Sequence, residues 1–371
     1  MLKYLRYFGT HVLIAATTIG LVAGGGWYWL GVGAGFAFWV GGDALSRKIP
    51  SRLPRYAHPQ VLDAALYSLF VPLVVMTLVF AWSLSPRDWF GFGAWIQAMS
   101  GSDVVAVRAA TSTVDVLGAC LSFGLAMAMG GILTAHELGH RTKDPRAMRV
   151  ARWMLAMAFN ASLEVAHVFG HHRDVGTSAD PATARRGENI YHFYIRSTVG
   201  QFFQAWRIER ERLGALEQSP VSLNNKVVAG LLRSGMVSAL FYFAGGFYAL
   251  GAFLVASMWN KFLLETLNYL EHYGLVRVPG EPIAPRHAWD SLSSFSHAAL
   301  FELPWHADHH SRAGAKYPTL TASPDAPILP FGYLAGLPLV WLPPLWERLI
   351  KRGLAEWDQN KASPEERMLI G

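Results

Sequence analysis

Residues 136–140 read His-Glu-Leu-Gly-His, two histidines four apart with a carboxylate between them. On a helix that spacing stacks both imidazoles one turn apart on one face, where they can grip one metal ion or reach two. Three further groups repeat the theme. "HVFGHH" carries His167, His171 and His172, "NYLEHYGL" carries His272, and "HADHH" carries His306, His309 and His310. In HVFGHH, His167 and His171 are again four apart, and His172 is turned from His171 by about 100° if helical, so the two neighbours can serve different ions. In HADHH the offsets 0, 3 and 4 share a face. His11, His58, His192, His287 and His297 have no such spacing and read as interfacial or hydrogen-bonded side chains.

Imidazole suits iron, copper, zinc and nickel alike, so the ligand type alone does not choose the metal. A zinc peptidase would use His136, His140, one more ligand and Glu137 as base. That leaves six or seven clustered histidines without a role, whereas two metal ions use all nine.

The elements that hold these residues belong to a membrane protein. Of 371 residues, 52% are hydrophobic and 16% charged, and mean hydropathy is +0.23, which is unusual for a soluble domain. The net charge of +6 has no basic run interleaved with aromatics, so it reads as membrane orientation rather than nucleic-acid binding. A single cysteine, Cys120, excludes an internal disulfide and any Cys-based metal site, so an iron–sulfur electron carrier must be a separate protein. The N-terminus runs into an apolar stretch without a small-residue cleavage site, which favours a retained first span.

Uncharged runs predict an all-α integral membrane protein with about six transmembrane helices, near 12–26, 28–44, 64–84, 114–135, 227–246 and 248–267. Gly24 to Gly26 and Gly245-Gly246 offer the turns, and Arg233 and Lys261 are expected to snorkel. Lys3 and Arg6 precede the first run, Arg47, Lys48, Arg52 and Arg55 follow the second, and Arg141 to Arg152 hold five basic residues after the fourth. The positive-inside rule therefore puts both termini in the cytoplasm, with 136–226 and 268–371 forming a histidine-rich catalytic cap in one domain, 1–371. Residues 154–163 are apolar but too short to span and read as interfacial. Residues 327–346 fit either a re-entrant cap or a peripheral helix.

The blocks HELGHR, HVFGHH, DPATARRGE (180–188), NYLEHYGL and HADHH, in this order, resemble the membrane-bound non-haem diiron monooxygenases, the family of alkane 1-monooxygenase and the xylene monooxygenase hydroxylase subunit. "RIERERL" and "EWDQNKASPEER" are similar to the xylene branch. The resemblance implies two non-haem iron ions held by His136, His140, His167, His171, His172, His272, His306, His309 and His310. It implies that Glu137, Asp180, Glu188, Asn268, Glu271 and Asp308 orient those rings. The activity implied is O2-dependent hydroxylation of a terminal methyl group, of a medium-chain n-alkane or an alkyl-aromatic such as xylene, in the bacterial cytoplasmic (inner) membrane. Electrons would come from a rubredoxin with its reductase, or from a ferredoxin-type FAD/iron–sulfur reductase. Arg141 to Arg152, Arg185 and Arg186 suit an acidic donor, and suit anionic lipid head groups equally.

The chain departs from the alkane pattern where Pro304 and Trp305 replace the usual lead-in to the last box, and where Ala166 stands at a common glutamate. Both changes bear on the substrate rather than on the ligands. Trp27, Trp29, Phe36, Trp39, Phe70 and Phe80 are candidate channel walls, with lipid-facing or packing roles as the alternative. A fatty-acyl desaturase or hydroxylase is the near alternative, which His272 and DPATARRGE oppose. A membrane zinc metallopeptidase is the distant one, and a metal transporter is opposed by the absence of ligands within the spans.

Overall fold

The computed structural model describes residues 2–49 and 56–370. Arg52 and Arg55, which the charge reading uses, lie outside the described residues. The described residues are helical apart from loops and two isolated bridges, Lys48 with Ser293 and Asp290 with Ile328.

Among the described residues, four helices are long and apolar enough to cross a membrane: α1 (Lys3–Ala23), α3 (Pro59–Ser83), α4 (Thr113–Gly139) and α8 (Lys226–His272). The shorter α2 (30–44) follows α1 through a tight turn at Gly24, whose φ of +76° suits glycine. Its 15 residues fall short of the ~20 that a full span takes. Within α8 the backbone leaves helical geometry at Gly245 and Gly246, the latter at φ +64°, and the chain doubles back. The glycine turns expected at both places are present, because only a residue without Cβ reverses direction there cheaply.

The result is three hairpins, α1/α2, α3/α4 and the two arms of α8. Their turns gather at one end: Tyr28 reaches the Ser83 carbonyl, Arg108 reaches that of Trp82, and Gly245 packs on Leu84. Short helices Phe92–Ser100 and Val104–Ala109 cover this end. At the opposite end lie α5 (Pro145–Met157), α6 (163–174), α7 (Ile190–Gly214), α9 (His306–Ser311), α10 (Tyr333–Val340), α11 (Pro343–Asn360) and α12 (Pro364–Ile370). Polar side chains tie the hairpin feet to these elements. Arg6 and Tyr7 of α1 bind Glu302, and Asp43 of α2 accepts from Ser293, Ser296 and the Ala335 N–H. Arg141 pairs with Asp63 of α3 at 2.8 Å.

Three expectations change. Residues 154–157 end the amphipathic α5 and are buried in the core, because their apolar face packs on α4 and α8 while Arg146 and Arg149 look outward. Within 327–346, α10 is tucked under the hairpins with Tyr333 and Leu334 buried. Lys261 does not snorkel. It pairs with the buried Glu265 at 2.7 Å, and Ser197 and Gln201 of α7 bind the same carboxylate, because a charged pair with hydrogen-bond partners is cheaper to keep inside than a lone ammonium.

Candidate metal centre

The foot of α4 carries His136 and His140, the end of α8 carries His272, and α6 and α9 lie between them. One ring nitrogen from each of nine histidines falls into one of two groups, every nitrogen within 4.8 Å of the others in its group. The first holds His136, His140, His167, His172 and His309. The second holds His171, His272, His306 and His310.

Local helix geometry decides this division. His136 and His140 share a group, as the four-residue spacing implies. In α6, however, residues 166–171 form a π-helical segment. Its wider turn aligns residues five apart, so His167 pairs with His172 and His171 faces the other group. The expected His167/His171 pair is corrected accordingly. In α9, His306 and His310 point one way, while His309, about 60° off the first ring, serves the five-histidine group.

These residues fit metal ions better than they fit one another. Neighbouring Nε2 atoms lie 3.0–3.1 Å apart in the pairs His140–His167, His167–His172 and His172–His309, and again in His272–His306 and His306–His310. Two ligands ~2.1 Å from one ion are ~3.0 Å apart at right angles. The buried His171 Nε2 has no hydrogen-bond partner, and its other nitrogen is engaged, so its lone pair is free. Burial, then repulsion from neighbouring rings, drives His167, His172, His306, His309 and His310 far below the usual histidine range, and brings His140 down to about 4. All are therefore neutral at pH 7, the form that binds metal.

Of the six residues expected to orient rings, Asp180 does so: His171 Nδ1 donates to its Oδ2 at 2.8 Å. Burial pushes the Asp180 carboxyl up, but His171, the Thr183 hydroxyl and the Ala182 N–H together draw it below the ordinary carboxylate range. Glu271 sits on the metal-facing side, with Oε2 3.4 Å from His306 Nε2 and Oε1 buried without a partner. Four assignments are corrected. Glu137 is taken up by Arg141 and the Tyr317 N–H, and Glu188 by Arg196, His192 and the Arg185 N–H. Asn268 donates to Glu265. Asp308 accepts from Arg312, one turn on, and from the Thr321 N–H. For the three carboxylates a nearer cation or backbone donor outcompetes a ring, and for Asn268 a nearer carboxylate does.

Other supports emerge only in three dimensions. His272 Nδ1 donates to the His287 carbonyl at 3.3 Å, and His287 in turn binds Glu366 of α12. Asp290 accepts the Ala307 N–H at 2.8 Å, satisfying the start of α9, where neither Pro304 nor Trp305 offers a cap. The altered lead-in has its own anchor: Trp305 is buried against His297, which donates to Glu302. His11 and His192 are hydrogen-bonded as well, to Ser68 and Glu188.

An apolar cavity descends between α4, α8 and α10 onto His136, His167 and His306, histidines from both groups. Its walls include Met129, Leu133, Leu263, Leu267, Leu303 and Leu337. None of the six aromatics named as candidate walls lines it. Phe80, for example, stacks on Phe123 in the core. The usable signal was leucines within two and a half turns before the ligands on the same helix, such as Leu263 and Leu267 before His272. On the polar side, His140 borders a wide cleft with Asp63, Arg141, Lys143, Arg146 and Lys316.

An all-helical membrane chain whose apolar cavity ends on clustered histidines defines a class, and comparison with known proteins names it. The family model described as fatty acid desaturase matches residues 112–346. The xylene/toluene monooxygenase hydroxylase component XylM of Pseudomonas putida is 33% identical over 98% of this chain and 93% of its own length. Alkane 1-monooxygenase 1 of Alcanivorax borkumensis is 35% identical over 67% of this chain, and alkane 1-monooxygenase of Ectopseudomonas oleovorans 32% over 69%; the matches span 63% and 66% of those two proteins. The chain belongs to the family of the membrane alkane 1-monooxygenases and the xylene/toluene monooxygenase hydroxylase component.

Proposed function

We propose that this protein is a membrane monooxygenase that hydroxylates the terminal methyl group of an n-alkane or alkylbenzene at two irons held by the nine histidines. The observation that carries the reading is the apolar cavity ending on His136, His167 and His306. The reaction balances as RH + O2 + two electrons + two protons, giving ROH and water. When bound, the irons supply the reductive activation of O2 that no side chain provides.

The chain's own residues do the rest. Leu263, Leu267, Leu303 and Leu337 take up the hydrocarbon, aim its methyl end at the histidines and keep water out. Asp180 holds the proton on His171 Nδ1, which fixes the tautomer and leaves Nε2 for metal. The His287 carbonyl does the same for His272. Electrons arrive from a separate rubredoxin or ferredoxin-type reductase, for which the cleft beside His140, edged by Arg141, Lys143 and Arg146, is the polar approach. We further propose a single domain that crosses the bacterial inner membrane six times as three hairpins, with both termini and the histidine cap in the cytoplasm.

The fatty acid desaturase match makes desaturation the second reading, because a similar apolar cavity could hold an acyl chain. A peptidase has less support: Glu137, its required base, is occupied by Arg141 and Tyr317. The test is mass spectrometry of products from cells supplying the protein with a rubredoxin and reductase, fed octane, p-xylene and a fatty acid under heavy-isotope O2. Labelled 1-octanol or 4-methylbenzyl alcohol is expected. A new double bond without label would mean a desaturase.

A further inference from the structure

On the flank of the cap, away from the histidines, a groove runs between α5 and the first turns of α8. It is lined by Thr142, Arg149, Arg152, Trp153 and Arg233. We propose that this groove binds the phosphate group of an anionic membrane lipid.

The charge count comes first. Arg152 forks onto Glu164 at 2.7 and 2.8 Å, and Arg212 behind it forks onto Glu209, so those acids are matched. Arg149 and Arg233 have no hydrogen bond or ion pair among the described residues, and Arg233 faces the Arg152–Glu164 pair. Arg149, Arg152 and Arg233 thus have one carboxylate, Glu164, among them, and the groove keeps a net excess of two positive charges. Guanidinium forks match the oxygens of a phosphate, and two of them in one groove grip it from two sides.

The location chooses the carrier of that phosphate. Arg233 stands seven residues into α8, ~10 Å along its axis. Its neighbours Leu232 and Met236 are 53% and 62% exposed, as side chains facing acyl chains are. At that depth the arm of α8 meets the cap, and α5 lies across it with its basic face outward and its apolar face buried. Trp153 adds an indole at the same level, the usual place for tryptophan at a head-group boundary. A lipid can therefore set its phosphate between Arg149 and Arg233 while its chains run along Leu232 and Met236.

The site rests on the membrane placement of α8 and not on the metal chemistry. A protein that oxidised no substrate yet retained anionic lipid would keep this inference and lose the functional reading. The experiment is native mass spectrometry of the full-length protein in detergent with phosphatidylglycerol or phosphatidylcholine, beside thermal unfolding with each lipid and with inorganic phosphate. The wild type is expected to retain phosphatidylglycerol over phosphatidylcholine and to unfold at a higher temperature with it, with no gain from inorganic phosphate. Arg149→Gln and Arg233→Gln should each weaken retention about fivefold, and the paired lysine substitutions should keep most of it. Arg149 is exposed, so its variant reports even if Arg233→Gln does not fold. Equal retention by wild type and Arg149→Gln would overturn the site. An equal gain from inorganic phosphate would make it a soluble-anion site, and loss of binding to an acidic electron-donor protein with lipid retention intact would make it a protein surface; both outcomes sink the lipid assignment.

Discussion

The two histidine groups are built from the same side chain but sit in unlike surroundings. The five-histidine group reaches outward: His140 borders the wide polar cleft edged by Arg141, Lys143 and Lys316. The four-histidine group is sealed. His171 is fixed by Asp180, His272 by the His287 carbonyl, and Glu271 adds a buried carboxylate beside His306. Both groups touch the apolar cavity. The contrast implies a division of labour, in which one position faces the side from which electrons come and the other is held rigid by hydrogen bonds, with the substrate end lying between them.

The most damaging way to probe that contrast is to remove one ligand from each side. His309→Ala and His310→Ala are each expected to abolish product formation, to leave membrane insertion intact and to lower the metal content per chain. Normal turnover by either variant would take that histidine out of the ligand set. A smaller effect separates the groups. Asp180→Asn should cost 10–100-fold in activity or metal affinity, because His171 exchanges a charged orienting carboxylate for a neutral amide. Asp308→Asn, whose carboxylate binds Arg312 and Thr321, should leave metal content unchanged. Equal loss in the two variants would mean that Asp180 is no more than one more buried acid.

In the cavity between the groups, Leu267→Phe should shorten the accepted chain and cut kcat/KM for the longest substrate about tenfold relative to the shortest. The smallest effect belongs to the outer support of the sealed group. Glu366→Gln breaks the contacts to Arg286 and His287 and should cost about 1–3 kcal/mol of stability, measured by thermal unfolding. Burial raises this carboxyl, but Arg286, the Ser363 N–H and His287 outweigh it and hold it below its ordinary 4.5. Its contribution is therefore full above pH 4.5 and fades as the pH falls through the lower folded value. A variant whose stability loss persisted unchanged well below that range would rule out the ion pair as its cause.

The histidines were legible because their spacing is local and their number far exceeds what packing needs. The hairpin turns were legible at Gly24 and at Gly245-Gly246, where only glycine permits the reversal. The partition of the nine histidines was not, because a π-helical turn in HVFGHH leaves no mark in the spacing, and the four-residue rule assigns His171 to the wrong partner. The supporting acids were mostly misread for a related reason. Sequence proximity to a ligand put Asp308 and Glu137 forward, yet Arg312 and Arg141, each one turn away, claim them. Asp290 and Glu366 act across 17 and 79 residues of chain, a reach that reading the sequence in order does not reveal. Six apolar runs were visible, whereas the described residues form four long apolar helices, one of them folded back on itself, and a shorter α2.

The central claim is that two unlike metal positions share one cap. Metal analysis of the purified protein by mass spectrometry, joined to Mössbauer spectroscopy of iron-57-enriched material, tests it most directly. Two irons per chain in two distinguishable environments, with the Asp180→Asn variant altering one of them, is the expected result. A single zinc per chain, or two irons that respond identically to Asp180→Asn, would contradict it.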